Sequence, residues 1–129
     1  MLDNAARIEA KVNLAQFTGT ENYYRHPLFK FTFTDGVEYM AKTYDAFWLI
    51  DVCMSHAAEL IRKYGADSEQ CGLLVCKLRR DPAGDGAVFV VEDGDYNELA
   101  RQVIEYTDFP EPEFTMWFQN GVLFLTSEY

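Results

Sequence analysis

The sequence lacks the features that mark membrane, secreted and disulfide-stabilised proteins. No stretch approaches the roughly 20 apolar residues that cross a bilayer, and the first residues resemble no secretion signal. Among 129 residues there are only three cysteines, Cys53, Cys71 and Cys76, at no spacing typical of a disulfide framework. We therefore expect a cytoplasmic protein without membrane contact, folded as a single α+β domain over residues 1–129.

Basic residues are nearly absent from the C-terminal part of the chain. Residues 1–80 hold ten acidic and ten basic side chains, whereas residues 81–129 hold eleven acidic ones and a single base, Arg101. The formal net charge of −10 therefore arises entirely from the C-terminal region. Because phosphate contacts need Lys and Arg, we expect no direct nucleic-acid binding. A basic protein partner would be attracted to this region.

Catalytic and metal-binding motifs are lacking too. The sequence contains neither a phosphate-binding glycine loop nor a nucleophile elbow. Cys53, His56, Cys71 and Cys76 are the residue types that bind zinc, but Cys76 falls inside a strand pattern rather than a metal-binding turn. Core packing explains these cysteines better. We predict no catalytic residue, no metal and no cofactor.

One enzymatic alternative stays open at this stage. His26 or His56 would act as a general base beside a carboxylate such as Asp51 or Asp108, in a hydrolase-like site. The hypothesis requires that these side chains meet within hydrogen-bonding distance in a pocket.

Hydrophobic periodicity predicts three helices. The first runs from Asp3 or Asn4 to about Phe17, and the second from Asp45, as its cap, to Tyr64 before Gly65. The third runs from Asp95 to about Tyr106, because Asp95 and Glu98 have the spacing of a capping box. The predicted apolar stripe of the first helix consists of Ile8, Val12, Leu14 and Ala15.

Alternating apolar residues and turn signals predict three hairpins. The first covers Phe29 to Lys42 and turns at Asp35-Gly36. The others are listed by their strands: Cys71 to Arg80 with Ala87 to Val91, and Phe114 to Gln119 with Val122 to Thr126 around Asn120-Gly121. The predicted fold is thus an antiparallel sheet of about six strands with helices packed on one face, in the order α-ββ-α-ββ-α-ββ.

The last hairpin predicts which side chains share a face. A two-residue turn at Asn120-Gly121 pairs Trp117 with Phe124 on the face away from the core. Tyr39 joins that face if the first hairpin also has a two-residue turn. The predicted core face carries Phe114, Met116, Phe118, Leu123 and Leu125.

Several sequence blocks together resemble a known family. They are Phe17-Thr18-Gly19-Thr20-Glu21 with Tyr23-Tyr24, Thr34-Asp35-Gly36-Val37, Phe47-Trp48-Leu49-Ile50-Asp51, Thr107-Asp108-Phe109-Pro110 and Ser127-Glu128-Tyr129. From Leu14 to Tyr129 the chain is similar to a family of small bacterial, plasmid and phage proteins carried as a domain of unknown function. The resemblance implies a mobile-element setting, in which small acidic proteins are often inhibitors or accessory factors. It implies no catalytic residue.

These observations favour a non-enzymatic protein-interaction module. Acidic side chains would steer a basic or nucleic-acid-binding partner, and aromatic side chains would anchor it. The alternatives are the small enzyme described above and a homodimer or other homo-oligomer joined through the aromatic face. The predicted interaction residues are Trp117, Phe124, Tyr39, Asp93, Asp95, Asp108, Glu111 and Glu113.

Overall fold

The computed structural model describes residues 3–129, which form three α-helices and a seven-stranded sheet. The helices are α1 (Asn4–Ala15), α2 (Asp35–Thr43) and α3 (Phe47–Tyr64), with a 3-10 helix at Thr126–Glu128. The strands are β1 (Tyr23–Arg25), β2 (Thr32–Thr34), β3 (Leu74–Arg80), β4 (Ala87–Glu92), β5 (Glu98–Ile104), β6 (Glu113–Gln119) and β7 (Val122–Leu125). No helix within residues 3–129 has the length and apolar character needed to cross a membrane.

The sheet is mixed, not antiparallel throughout as predicted. Its strand order is β1-β2-β7-β6-β3-β4-β5. Every neighbouring pair is antiparallel except β2 and β7, which run parallel with Phe33 opposite Leu123. The predicted class α+β is confirmed, whereas the count of about six strands and the order α-ββ-α-ββ-α-ββ are wrong. Two local misassignments and the strand β1, which the sequence did not indicate, account for the difference.

The first misassignment is the hairpin at Asp35-Gly36, which is instead the first turn of α2. The side chain of Thr34 caps this helix by accepting a hydrogen bond from Val37 N at 3.4 Å. The carboxylate of Glu128 also binds here: Thr34 Oγ1 donates to it at 2.6 Å and Gly36 N at 3.1 Å. A carboxylate at the N-terminus of a helix satisfies free N–H groups and complements the helix dipole.

The second misassignment is the third helix, because Asp95 to Tyr106 contains strand β5. The Asp93 carboxylate holds the preceding turn by accepting from Asp95 N at 2.8 Å and Asn97 N at 3.0 Å. Tyr96 adopts a left-handed conformation with φ 68°. Polar side chains at this spacing serve a tight turn as well as a helix cap. Pairing with β4 extends the chain into a strand.

The bounds of α1 and α3 agree with the prediction, but two details differ. Asp3 caps α1 through Ala6 N at 2.7 Å, yet the buried side of α1 is formed by Ala10 and Leu14. Ile8, Val12 and Ala15 of the predicted stripe are exposed. Ala46, not Asp45, precedes α3, and it makes no side-chain cap; Gly65 ends the helix as predicted.

The last hairpin has the predicted register. Phe118 lies opposite Leu123, Trp117 opposite Phe124 and Met116 opposite Leu125. Both turn residues have positive φ, 53° at Asn120 and 78° at Gly121, as a two-residue turn between twisted strands requires. The predicted core residues of this hairpin are buried, except that Phe114 is only half-buried.

The core lies between the helices and one face of the sheet. α3 packs on the face carrying Cys76 and Phe89, because its Cys53 thiol contacts Cys76 and its His56 ring stacks on Phe89 with centroids 5.5 Å apart. The alternating residues of β3, such as Val75 and Lys77, point to the opposite face. We call this opposite side, away from α3, the open face.

Candidate functional site

An aromatic cluster occupies the open face across β6 and β7. The rings of Trp117 and Phe124 are perpendicular with centroids 6.2 Å apart. Tyr129 completes the cluster, 5.1 Å from Trp117 and 6.0 Å from Phe124. We refer to these three residues as the aromatic triad. Phe124 is buried and Trp117 half-buried, whereas Tyr129 is 75% exposed. Tyr129 is therefore the most accessible ring of the triad, and the strand pattern alone did not indicate it.

Strand register brings the acidic β4–β5 turn to the same end of the sheet as the triad. Trp117 lies opposite Val75, and Val75 lies opposite Glu92. Two strand spacings amount to about 10 Å, and the turn with Asp93 and Asp95 follows directly. The Asn97 side chain and backbone hold the pKa of Asp93 below its usual range, so this carboxylate is charged at neutral pH. Four predicted interaction residues thus share one region.

The basic side chains on the neighbouring part of the open face have acidic partners. Lys77 Nζ lies 2.8 Å from Glu92 Oε1 and 5.6 Å from the centroid of the Tyr96 ring. The contact with Glu92 is an ion pair without the alignment of a hydrogen bond. The other two pairs are Arg79 with Glu113 at 3.4 Å and Arg101 with Glu98 at 2.7 Å. These pairs neutralise one another, so the turn carboxylates set the sign of charge next to the triad.

The other four predicted interaction residues do not join this region. Tyr39 lies on α2, not on the open face, because the segment predicted as the return strand of the first hairpin is a helix. Its hydroxyl accepts a hydrogen bond from Asn13 Nδ2 at 2.9 Å. Asp108, Glu111 and Glu113 lie at or before the start of β6, at the opposite end of the strands from the β4–β5 turn. Of these, Asp108 is exposed and Glu111 is buried.

The postulated histidine–carboxylate pair exists, but its geometry is that of a structural contact. His26 Nε2 lies 2.5 Å from Asp51 Oδ1. The other ring nitrogen, Nδ1, accepts from Leu28 N at 3.0 Å and is 3.4 Å from Phe29 N. His26 is buried, and a general base needs a free nitrogen facing the substrate. The pair joins the loop after β1 to α3.

The other candidate catalytic and metal-binding residues also form structural contacts. His56 Nε2 lies 2.7 Å from Gln102 Oε1. Cys53 is fully enclosed, and burial together with a hydrogen bond to Cys76 raises the pKa of its thiol well above the usual value. A neutral thiol is a poor nucleophile and a poor metal ligand. Within residues 3–129 no group of three or more His, Cys, Asp or Glu side chains is placed to hold a metal ion.

Several of the distinctive sequence blocks meet at the start of α2. Asp35 is the centre: its carboxylate accepts from Glu21 N at 3.0 Å, Asn22 N at 3.2 Å and the Tyr24 hydroxyl at 3.0 Å. The hydrogen bond from Glu21 N is the largest cause that lowers the pKa of Asp35 to about 2. The same carboxylate raises the pKa of Tyr24 to about 12. These blocks therefore hold the loop after α1 against α2.

Comparison with known families identifies the family of the chain. The chain belongs to DUF6876, a family of unknown function whose sequence profile matches residues 8–129. Neither a curated protein nor a solved structure shows a significant match to the chain. Membership assigns no activity.

Proposed function

We propose that this DUF6876 member is a non-enzymatic protein-interaction module that binds a basic protein through the aromatic triad and the β4–β5 turn. The observation that carries the proposal is the cross-strand row from Phe124 through Trp117 and Val75 to Glu92. It places an aromatic anchor about 10 Å from a loop bearing two carboxylates.

The two parts of this surface have different physical tasks. Aromatic side chains near the centre of an interface bury a large area at little entropic cost and form most binding hot spots. Carboxylates at the rim attract a basic partner and raise its association rate. Because the nearby Lys and Arg side chains are already paired, they add little repulsion toward such a partner.

A mobile-element setting, which the sequence resemblance implies, would make the partner a nucleic-acid-binding host or defence protein. Nucleic-acid-binding proteins carry basic surfaces that contact phosphates. An acidic loop beside a cluster of aromatic rings presents negative charge and aromatic surface together, and both are features of a nucleic-acid strand. The protein would then act as an inhibitor that occupies the basic surface.

The proposal is tested by capture from a bacterial lysate, followed by affinity measurement on the captured protein at low and high salt. Trp117→Ala should weaken binding roughly 30-fold or more, as expected for an aromatic hot spot. Asp95→Asn should mainly slow association, and its effect should disappear at high salt.

Two matched controls separate this surface from general effects. Tyr106→Ala removes an aromatic ring that is 70% exposed elsewhere, and Asp67→Asn removes an exposed carboxylate near the end of α3. Both should bind like the wild type. If Trp117→Ala folds normally and binds with unchanged affinity, the triad is not the interface.

Light scattering distinguishes the homodimer alternative. A dimer through the open face would be disrupted by Trp117→Ala, because a self-complementary contact loses the same ring on both subunits. A mass of 14.9 kDa for the wild type at high protein concentration would reject it.

A further inference from the structure

A cleft at the end of the sheet away from the β4–β5 turn runs between α1 and the start of β6. Its volume is about 710 Å³, within the range of small-molecule sites. Leu14 and Phe114 provide apolar walls, while Lys11, Arg80, Tyr44 and Glu111 provide polar groups. The ion pair of Arg79 and Glu113 also lines the cleft. None of these residues belongs to the triad or to the β4–β5 turn.

Three buried side-chain atoms of residues in the wall of this cleft make no hydrogen bond: Glu111 Oε2, the Tyr44 hydroxyl and Arg80 Nε. Glu111 and Tyr44 are each 5% exposed. The Arg7 guanidinium comes no closer to Glu111 than 3.6 Å, which is beyond hydrogen-bonding distance. Burial, together with the nearby Glu111 carboxylate, raises the pKa of Tyr44 to about 12, but no aligned hydrogen bond joins the two groups. Buried polar groups are nearly always paired, so the wall of the cleft can take up one further donor.

The segment that carries Glu111 is held firmly in place. Arg80 N donates to Pro112 O at 2.8 Å, and Arg80 Nη1 donates to Phe109 O at 3.0 Å. The Tyr44 ring packs edge-on against Phe109 with centroids 5.2 Å apart. The two unpaired oxygens are therefore fixed before any ligand arrives, a condition that favours tight binding.

The chemistry of the wall selects a ligand with charges of both signs. A carboxylate oxygen without a partner requires a donor, and an ammonium group is the strongest small donor for it. The basic side chains of Lys11 and Arg80 on the same cleft would repel a simple amine but would bind a carboxylate. The apolar walls suit an aliphatic side chain.

We propose that this cleft binds a free α-amino acid with an apolar side chain. The ammonium group donates to Glu111 and contacts the Tyr44 hydroxyl, displacing Arg7, whose side chain is 43% exposed. The carboxylate lies toward Lys11 and Arg80, and the side chain lies between Leu14 and Phe114. This binding is independent of the proposed protein interface.

Three matched probes test the proposal on the full chain by calorimetry and amide chemical-shift mapping. L-Leucine carries both charges, isoamylamine carries only the ammonium group, and 4-methylpentanoate carries only the carboxylate. L-Leucine should bind and shift the amides of residues 111–114. Each single-charge probe should bind at least about tenfold more weakly, since a hydrogen bond to a charged group contributes at least that factor.

Variants of residues in the wall of the cleft test whether leucine binds there. Glu111→Gln, which is nearly isosteric, should weaken leucine binding at least about tenfold. Tyr44→Phe, also nearly isosteric, should weaken it measurably. Asp108→Asn changes an exposed carboxylate three residues away that does not line the cleft, and this variant should bind normally. If the Glu111→Gln variant does not fold, the Tyr44→Phe variant provides the test in its place. Absence of leucine binding up to about 10 mM, equal binding of isoamylamine, or normal binding by Glu111→Gln would each refute the proposal.

Discussion

Replacing Gly36 by alanine tests the contact between α2 and the C-terminal segment. Alanine favours a helix over glycine by about 1 kcal/mol, so local propensity alone predicts a more stable protein. The tertiary contacts predict the opposite. A Cβ at Gly36 would lie 2.5 Å from Leu125 Cδ1 and 2.7 Å from Glu128 Oε1, distances at which the neighbours must move.

The expected magnitude follows from three contributions. Overpacking a close contact costs about 1–3 kcal/mol. Displacing the Glu128 carboxylate from Gly36 N and Thr34 removes a helix cap that contributes about 1 kcal/mol. Subtracting the gain in helix propensity leaves a destabilisation of about 1–3 kcal/mol, which corresponds to a fall in Tm of several degrees for a chain of this size.

Urea denaturation of Gly36→Ala, Glu128→Ala and the double variant provides the assay. The two changes should be non-additive, because they disrupt the same contact. Lys42→Ala is the control, an exposed position in the same helix. A Gly36→Ala protein that is more stable than the wild type by about 1 kcal/mol would show that the close approach of Glu128 does not exist.

Three further predictions concern other contacts. Asp35 has a pKa lowered from 3.8 to about 2, so its stabilising contribution is full above pH 3.8 and is lost as the pH falls toward 2; Asp35→Asn should remove this part of the acid dependence in urea titrations at each pH. Tyr24, with a pKa raised to about 12, should ionise later than exposed tyrosines in an absorbance titration. Burial raises the pKa of Tyr44 to about 12 as well, so Tyr24→Phe should remove one of two late-ionising tyrosines and Tyr44→Phe the other. Gly121→Ala places a side chain at φ 78° and should cost about 1–2 kcal/mol in thermal unfolding, and a neutral result would argue against the two-residue turn.

Sequence reasoning succeeded where local chemistry decides the structure. Asn120-Gly121 lies between two alternating strands, and only one register buries Met116 and Phe118 together. Asp3 and Gly65 mark the ends of helices for similarly local reasons. In these cases the side-chain period and the turn residues favour the same structure, and no distant contact opposes them.

It failed where a contact distant in sequence decides between two local options. Asp35-Gly36 suits a hairpin turn or the first turn of a helix, and the carboxylate that favours the helix is 92 residues away. The polar residues after Asp93 are likewise compatible with a helix cap or a turn, and pairing of the following segment with β4 selects the turn. The placement of Glu111 in a buried cleft had no sequence signal, since Pro-Glu-Pro is typical of exposed linkers.

The parallel pairing of β2 with β7 also bears on how the chain is made. At a translation rate of about 5–20 residues per second, Glu128 is added roughly 5–20 s after Gly36. Throughout that interval α2 has no Glu128 cap and β2 has no β7 beside it, so a nascent chain exposes an unpaired strand edge of the kind that aggregates or recruits chaperones. Ribosome-bound intermediates that end before β7 should accordingly be sensitive to protease between β1 and α3, whereas the finished protein should resist cleavage there.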